Sequence, residues 1–510
     1  MNRRGIPFWL FASFLCLYVL TSSGHFSASD DLQKLLVLDA IFKHGTLAIP
    51  GGWVHGHGGQ YYSWFPLGAS LLMLPGYLIG QLALHWFPAL PAAYVVRFFV
   101  TLDNAVFSAA LVTLVALYAR KAGRSWGASV FAAIALGLAT MVWPYAKTAW
   151  SEPGATLALF AGCFALLLAR RATGAASARW FFAAGTGLAL GAFVRQEYAL
   201  VGMAAFAWCW FAERRSWRQL VPFVLPLAAI AFAHLWYNAA RYDAPLYFPN
   251  YQLPQGARLQ EEGRFGSSLL RDFYQYVASP NQGLFWFSPA LLLACAGLRR
   301  FVADRASQAG LLAVVLLPLA AFYVVGWGVS SWAWGLRYVY PLLPFLILPV
   351  AWWWDASRRA RLAGCVVLAL GIGVQFLGVV NDADDLYAQA MRAHPGLTIQ
   401  RVMTEPDKGP LVLALEATPG TLERGAVLVA APQSGHGDYH TRRLGLPDCW
   451  WILQLLSPLP RKLTAIAVLA NLLALLGSIA MLIRGLRPST QATPAERGLA
   501  TALPLPGEAP

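Results

Sequence analysis

Long apolar runs separated by short polar stretches dominate this chain. They recur at about 6–23, 64–86, 93–119, 126–143, 153–170, 180–195, 197–213, 219–238, 283–299, 309–327, 337–354, 362–380 and 463–483. A helix needs roughly 17–25 apolar residues to cross a hydrocarbon core, and most of these runs supply that length. The pattern predicts an all-α polytopic membrane protein with about twelve transmembrane helices. The polar stretches hold their basic residues in clusters: Arg3/Arg4, Arg120/Lys121/Arg124, Arg170/Arg171/Arg179, Arg214/Arg215/Arg218, Arg299/Arg300/Arg305, Arg358/Arg359/Arg361 and Arg484/Arg487. The positive-inside rule assigns these clusters to the cytoplasm. The stretches 24–63, 144–152, 239–282, 328–336 and 381–461 then fall outside.

Parity constrains the order of crossings. Residues 6–23 cross outward, a signal peptide being the alternative reading. Between the first outer loop and the cluster at Arg120 lie two apolar runs, yet an odd number must cross. The run 64–86 carries Pro66, Gly68, Pro75, Gly76 and Gly80, so it reads as a juxtamembrane or re-entrant segment on the outer face. The runs 180–195 and 197–213 are short and meet at Arg195, Gln196 and Glu197, which predicts a polar cavity at their hinge. The resulting organisation is a membrane-embedded module over 1–380, with its first outer loop and juxtamembrane segments at 24–92. A small mixed extra-cytoplasmic segment follows at 381–461, with short strands expected at 411–416 and 426–431. A final membrane helix at 462–484 leads to a Pro/Ala/Thr-rich cytoplasmic tail, 485–510, expected to be disordered. Both termini are expected inside.

Composition agrees with the pattern. Of 510 residues, 58% are hydrophobic and only 12% charged, about half the charged share of a soluble domain. The net charge of +14 comes from clusters that flank membrane runs, so no nucleic-acid partner is implied; the lipid bilayer is the implied surroundings. Cys16, Cys163, Cys209, Cys295 and Cys365 lie in apolar runs and Cys449 stands alone, leaving neither a disulfide framework nor a zinc spacing.

Candidate chemistry gathers on the predicted outer face. Asp30 and Asp31 follow the first helix almost directly, and Ser29 or Asp30 could cap a helix running to about His44. Tyr61, Tyr62, Ser63 and Trp64 follow in the same loop. Lys147 and Glu152 flank the next outer turn. Arg241 lies in a Tyr/Asn-rich stretch and Arg337-Tyr338 in an aromatic one. Carboxylates beside aromatic rings suit a sugar, and Arg or Lys suits a phosphate. The interfacial belt accounts for most Trp and Tyr residues, but not for Arg195, Arg241 and Arg337 on a face otherwise poor in cations. Arg97 and Asn104 share a helix face and read, like Asp103, as lining of the bundle interior. His55 and His57 could ligate a divalent metal with Glu152 or another carboxylate, but His-x-His in a Gly-rich loop is a weak signal, and no metal residue or cofactor is assigned.

The chain resembles the membrane-embedded glycosyltransferases of the C-type superfamily (GT-C), which use lipid-linked sugars and include the protein O-mannosyltransferases and the aminoarabinose transferase of lipid A. The resemblance spans most of 6–380. It rests on Asp30-Asp31 after the first helix, on the following helix ending in Gly45, on Tyr61-Tyr62-Ser63-Trp64-Phe65-Pro66-Leu67-Gly68, on Ser151-Glu152-Pro153, and on Gly335-Leu336-Arg337-Tyr338 before a Pro-containing helix. Two departures stand out: Asp31 replaces the usual Glu, and Trp64 stands where many members carry Lys. The segment 381–461 matches no acceptor-binding domain of the family. The resemblance implies inverting transfer of a sugar from a polyprenyl-phosphate carrier to a hydroxyl of a glycan, lipid or protein acceptor, on the periplasmic side of a bacterial inner membrane. It implies Asp30 as general base, with Asp31, Glu152, Tyr61 and Tyr62 orienting the reactants. Arg337 is the first choice for the phosphate, with Arg195, Lys147, Arg241 and Tyr338 beside it. The rival functions are a lipid-linked glycan polymerase or ligase, and a secondary transporter or flippase. The absence of an internal repeat speaks against the transporter.

Overall fold

The computed structural model describes residues 5–26, 28–52, 54–249, 269–326, 333–394, 396–397, 401–402, 405–423, 447–455 and 461–487. Among these, six helices are long and apolar enough to cross a membrane: Ala92–Lys121, Glu152–Arg171, Trp217–Tyr242, Ala306–Val324, Arg358–Val380 and Arg461–Leu486. Ile6–Leu20 and Trp126–Leu138 are shorter apolar helices. The expected number of about twelve is therefore not reached by long helices alone. Several runs are broken into shorter pieces.

Helix ends follow local chemistry. Glu152–Arg171 begins with Glu152 and Pro153 in its first turn and ends in Arg170 and Arg171, matching the helix dipole at both ends. The Ser125 hydroxyl accepts from the Ala128 amide at the start of Trp126–Leu138. Ser29–His44 ends at Gly45, whose φ of 62° is left-handed and costs a glycine nothing. The same helix starts without a side-chain cap, at Ala28 in extended conformation, rather than through Ser29 or Asp30.

Ala92–Lys121 is the hub of the bundle. Ile6–Leu20, Leu74–Trp86, Trp126–Leu138 and Glu152–Arg171 all pack along it. Glu152–Arg171 is mostly buried and pairs closely with Gly174–Val194, which in turn packs on Trp217–Tyr242. Arg461–Leu486 is apolar all round yet largely exposed, apart from its packing on Ile6–Leu20, so its remaining surface suits lipid. The run 64–86 forms two pieces, Leu67–Leu71 and Leu74–Trp86. In the preceding loop, Val54–His55 pairs antiparallel with Tyr61–Tyr62, a hairpin the apolar pattern does not announce.

Two expectations are corrected. The run 337–354 is not one membrane helix. It breaks into a 3₁₀ segment, Arg337–Leu342, and short turns of helix at Leu343–Leu346 and Val350–Trp354. Pro341, Pro344 and Pro349 each remove an amide donor and crowd the preceding turn. The broken backbone is tolerated because it is buried in protein. Residues 411–416 are not a strand. They belong to the helix Pro410–Glu423, whose Leu, Ala and Glu residues favour helix and which packs on Arg358–Val380 and Ala383–Ala393. The strand expected at 426–431 and the tail from 488 lie outside the described residues.

Candidate active site

Asp30 and Asp31 occupy the first turn of Ser29–His44. Successive helix residues point about 100° apart, so the two carboxylates face different surroundings. Asp31 turns inward and is fully buried. Its Oδ1 accepts from Lys34 Nζ at 2.6 Å, and its Oδ2 is buried without a hydrogen-bond partner. Burial pushes its carboxyl up to about 6, with Asp30 and Glu152 adding to the rise and Lys34 opposing it. The Lys34 ammonium also lies over the Phe65 ring at 5.5 Å. Asp30 turns toward the open side, where its Oδ2 lies 3.8 Å from Arg337 Nη1.

Arg337 sits at the start of its 3₁₀ segment, immediately after Gly335 and Leu336. Its guanidinium lies over Trp150 at 5.3 Å and over Tyr338 at 5.2 Å. Nη2 donates to the Tyr338 hydroxyl at 3.3 Å, while Nε is buried without a partner. Roughly a quarter of both the Asp30 and Arg337 side chains remains exposed, at 25% and 24%. The pair is looser than a charge-assisted hydrogen bond of about 2.7–2.9 Å, so the guanidinium keeps donors for another oxyanion.

Behind this pair lies a buried polar network. Glu152 Oε1 accepts from Arg195 Nη1 at 2.5 Å, and Arg195 Nε donates to Glu197 Oε1 at 2.8 Å. The Tyr323 hydroxyl donates to the same Glu197 oxygen at 2.8 Å, and the Tyr323 ring stacks on Tyr338. Glu152 also feels the charges of Arg337 and Lys34. The charged hinge between Gly174–Val194 and Ala199–Ala207 therefore ends inside the same cluster as Asp30. The turn carrying Trp150 is held by Asn104, whose amide donates to the carbonyls of Thr148 and Trp150 at 2.7 and 2.8 Å. Asp103 accepts from the Gly76 amide, and Arg97 lies over Phe26.

The structure thus gathers Asp30, Asp31, Glu152, Arg195, Arg337 and Tyr338. It places the other expected residues elsewhere. Lys147 is buried, with Nζ 2.5 Å from Asp448 Oδ2 and donating to the Val379 carbonyl at 2.6 Å. Arg241 is buried too. It donates to the Ser63 and Phe65 carbonyls and to Asn238 Oδ1, and packs over the Tyr237 ring at 3.7 Å. That clamp fixes the loop after the hairpin. Tyr62 packs beneath it against Tyr242, while Tyr61, on the opposite face of its strand, is exposed with its ring 4.2 Å from His55. His57 Nδ1 faces the exposed Asp243 carboxylate at 3.0 Å, and His55 Nδ1 faces the Gly59 carbonyl. Glu152, occupied by Arg195, is not brought into a cluster with these histidines among the described residues.

Sequence reading misses Lys34, whose only signal is its i+3 spacing from Asp31. It also misses an adjoining half-open pocket lined by Lys147, Trp150, Asp382, Asp384 and Asp448, among others. Asp384 is electrostatically coupled to Asp382, Asp31, Arg337 and Asp30, and burial raises its carboxyl well above the usual range. The signal for this pocket is Asp382-Ala383-Asp384-Asp385 directly after a membrane run.

No known protein-family profile matches the chain, and no curated protein does. Two solved structures are similar in fold. ArnT from Cupriavidus metallidurans in the apo state is 14% identical, with a TM-score of 0.49 over 93% of this chain and 72% of that one. ArnT from Cupriavidus metallidurans bound to undecaprenyl phosphate is 15% identical, with a TM-score of 0.47 over 93% of this chain and 73% of that one.

Proposed function

We propose that the protein is an integral-membrane glycosyltransferase. It moves a sugar, with inversion, from a polyprenyl-phosphate carrier to an acceptor hydroxyl on the extra-cytoplasmic face. The observation that carries this reading is the Asp30–Arg337 pair: a partly exposed carboxylate facing a partly exposed guanidinium whose Nε has no hydrogen-bond partner. Of the cations considered, Arg195, Lys147 and Arg241 are committed to internal partners. Arg337 is the one with donors to spare.

The chemistry follows from that pair. Asp30 takes the proton of the acceptor hydroxyl as the oxygen attacks the anomeric carbon. The bond from that carbon to the phosphate oxygen breaks, and its electron pair leaves on the lipid phosphate. Arg337, held against the rings of Trp150 and Tyr338, stabilises the developing negative charge. No covalent intermediate is needed, so one carboxylate on the attacking side suffices. Asp31 and Glu152 hold the surrounding charges in register, while Tyr61 is exposed on the outer hairpin and Tyr62 is packed beneath it. In this reading 24–92 forms the outer loop over a membrane module ending near 380, and the site opens to the periplasm of a bacterial cell with both termini inside.

The test is sugar release from polyprenyl-phosphate monosaccharides by protein in lipid nanodiscs, with envelope extract as acceptor. Asp30→Asn should abolish transfer and leave donor binding nearly unchanged. Arg337→Lys should lower the transfer rate by about 100-fold, the scale expected on removing one oxyanion donor group. Full activity in Asp30→Asn removes the base assignment. Counterflow of the lipid-linked sugar without hydrolysis or transfer would favour a flippase.

A further inference from the structure

We propose that His25, Asp382 and Asp448 form a divalent transition-metal site in the wall between the first helix and the C-terminal segment. The proposal does not depend on the transferase reading. The three side chains come from segments far apart in sequence, and all three are buried. Their ligand atoms all lie within 4.8 Å of one another. His25 Nε2 is 2.6 Å from Asp448 Oδ1 and 4.0 Å from Asp382 Oδ2. Ligands about 2.1 Å from a tetrahedral ion stand about 3.4 Å apart, a value those two distances bracket.

The surroundings prepare each ligand. His25 Nδ1 lies 3.1 Å from the Phe26 carbonyl, so it carries the proton and directs Nε2 into the cluster. An imidazole fixed in this way by a carbonyl is the usual support of a metal-bound histidine. Asp382 Oδ1 accepts the Asp384 and Asp385 amides as the cap of Ala383–Ala393, which turns Oδ2 toward His25. Lys147 holds Asp448 Oδ2, leaving Oδ1 toward His25.

Charge supplies the independent argument. Asp382, Asp384 and Asp448 line one cavity with Lys147 as the cation among its lining residues. With a neutral His25, the carboxylates of Asp382 and Asp448 outweigh the single Lys147 cation, and Asp384 Oδ1 is buried there without a hydrogen-bond partner. Buried negative charge of this kind calls for a cation. One imidazole nitrogen with carboxylate oxygens suits Mn²⁺ or Zn²⁺ better than Ca²⁺ or Mg²⁺.

The experiment is metal uptake by the full-length protein. Chelator-stripped protein in nanodiscs is exposed to micromolar Mn²⁺ or Zn²⁺, desalted, and assayed for bound metal by mass spectrometry. The wild type should retain about one equivalent of one of these ions, and its thermal midpoint should rise on loading. His25→Gln and Asp382→Asn should each lose that equivalent and the rise, while His55→Gln/His57→Gln should keep both. X-ray absorption of the loaded wild type should show nitrogen and oxygen neighbours with a single imidazole. This last measurement needs no variant, so a folding defect in either substitution cannot mask the result. No uptake of either ion by the wild type, full uptake by His25→Gln, or a spectrum showing sulfur or two imidazoles would overturn the site.

Discussion

At the scale of single residues, the site is made by neighbours that send like groups to unlike environments. Asp30 and Asp31 are adjacent in sequence, yet one is partly exposed beside Arg337 and the other is buried on Lys34. The buried member has the measurable consequence. Its carboxyl, pushed up to about 6 from 3.8, is held neutral in the fold at pH values where the unfolded chain has already ionised it. That contribution to stability is complete below about pH 4 and is lost as the pH rises through 6. A carbonyl band in difference infrared spectra should therefore disappear with a midpoint near pH 6, and Asp31→Asn should lack that titration. A midpoint near 4 would show that Lys34 outweighs burial.

At the scale of elements, close helix contact places the charged hinge. Gly174–Val194 and Trp217–Tyr242 meet where a side chain on Gly185 would put its first carbon 2.1 Å from the Phe223 carbonyl oxygen. Backbone cannot yield there as a flexible side chain can. Gly185→Ala should cost about 1–3 kcal/mol of stability, the range for overpacking, with a lowered unfolding midpoint in detergent as the readout. Elements also show where sequence patterns mislead. Both 337–354 and 411–416 are apolar enough to read as a membrane helix and a strand. Three prolines broke the first, and helix-forming residues packed against Arg358–Val380 set the second.

At the scale of the whole molecule, the C-terminal segment is stitched to the N-terminal helix. Trp450 and Trp451 donate their indole N–H groups to the carbonyls of Val19 and Leu20 at 2.7 and 2.9 Å, and the Trp450 amide donates to the Ser22 carbonyl. The Trp451 bond fills the Leu20 carbonyl at the end of Ile6–Leu20, the Trp450 indole adds a second donor to the Val19 carbonyl that already accepts the Ser22 amide, and together they carry Asp448 to His25. Replacing both indoles by phenyl rings, Trp450→Phe/Trp451→Phe, should keep most packing but lose both bonds. A destabilisation of about 1–3 kcal/mol is expected from the unpaired Leu20 carbonyl, read as a lowered thermal midpoint. An unchanged midpoint would show that water replaces the indoles there.

What the sequence determined by itself was the class of molecule and the position of many of its apolar helices. Apolar runs of membrane length, basic clusters between them and Gly45 after Ser29–His44 are local signals, and hydrophobicity and backbone propensity act over a few turns of chain. The same signals placed Asp30 and Arg337 among the residues to watch. Tertiary structure alone decided the partners. Arg337 was the first choice among four candidate cations, but only the folded backbone committed Arg195 to Glu152 and Glu197, Lys147 to Asp448, and Arg241 to the loop carbonyls, leaving Arg337 opposite Asp30. His25 and Asp448, 423 residues apart, carry no joint signal in the sequence. Ion pairing depends on distances of a few ångströms between segments whose separation along the chain says nothing about their separation in space.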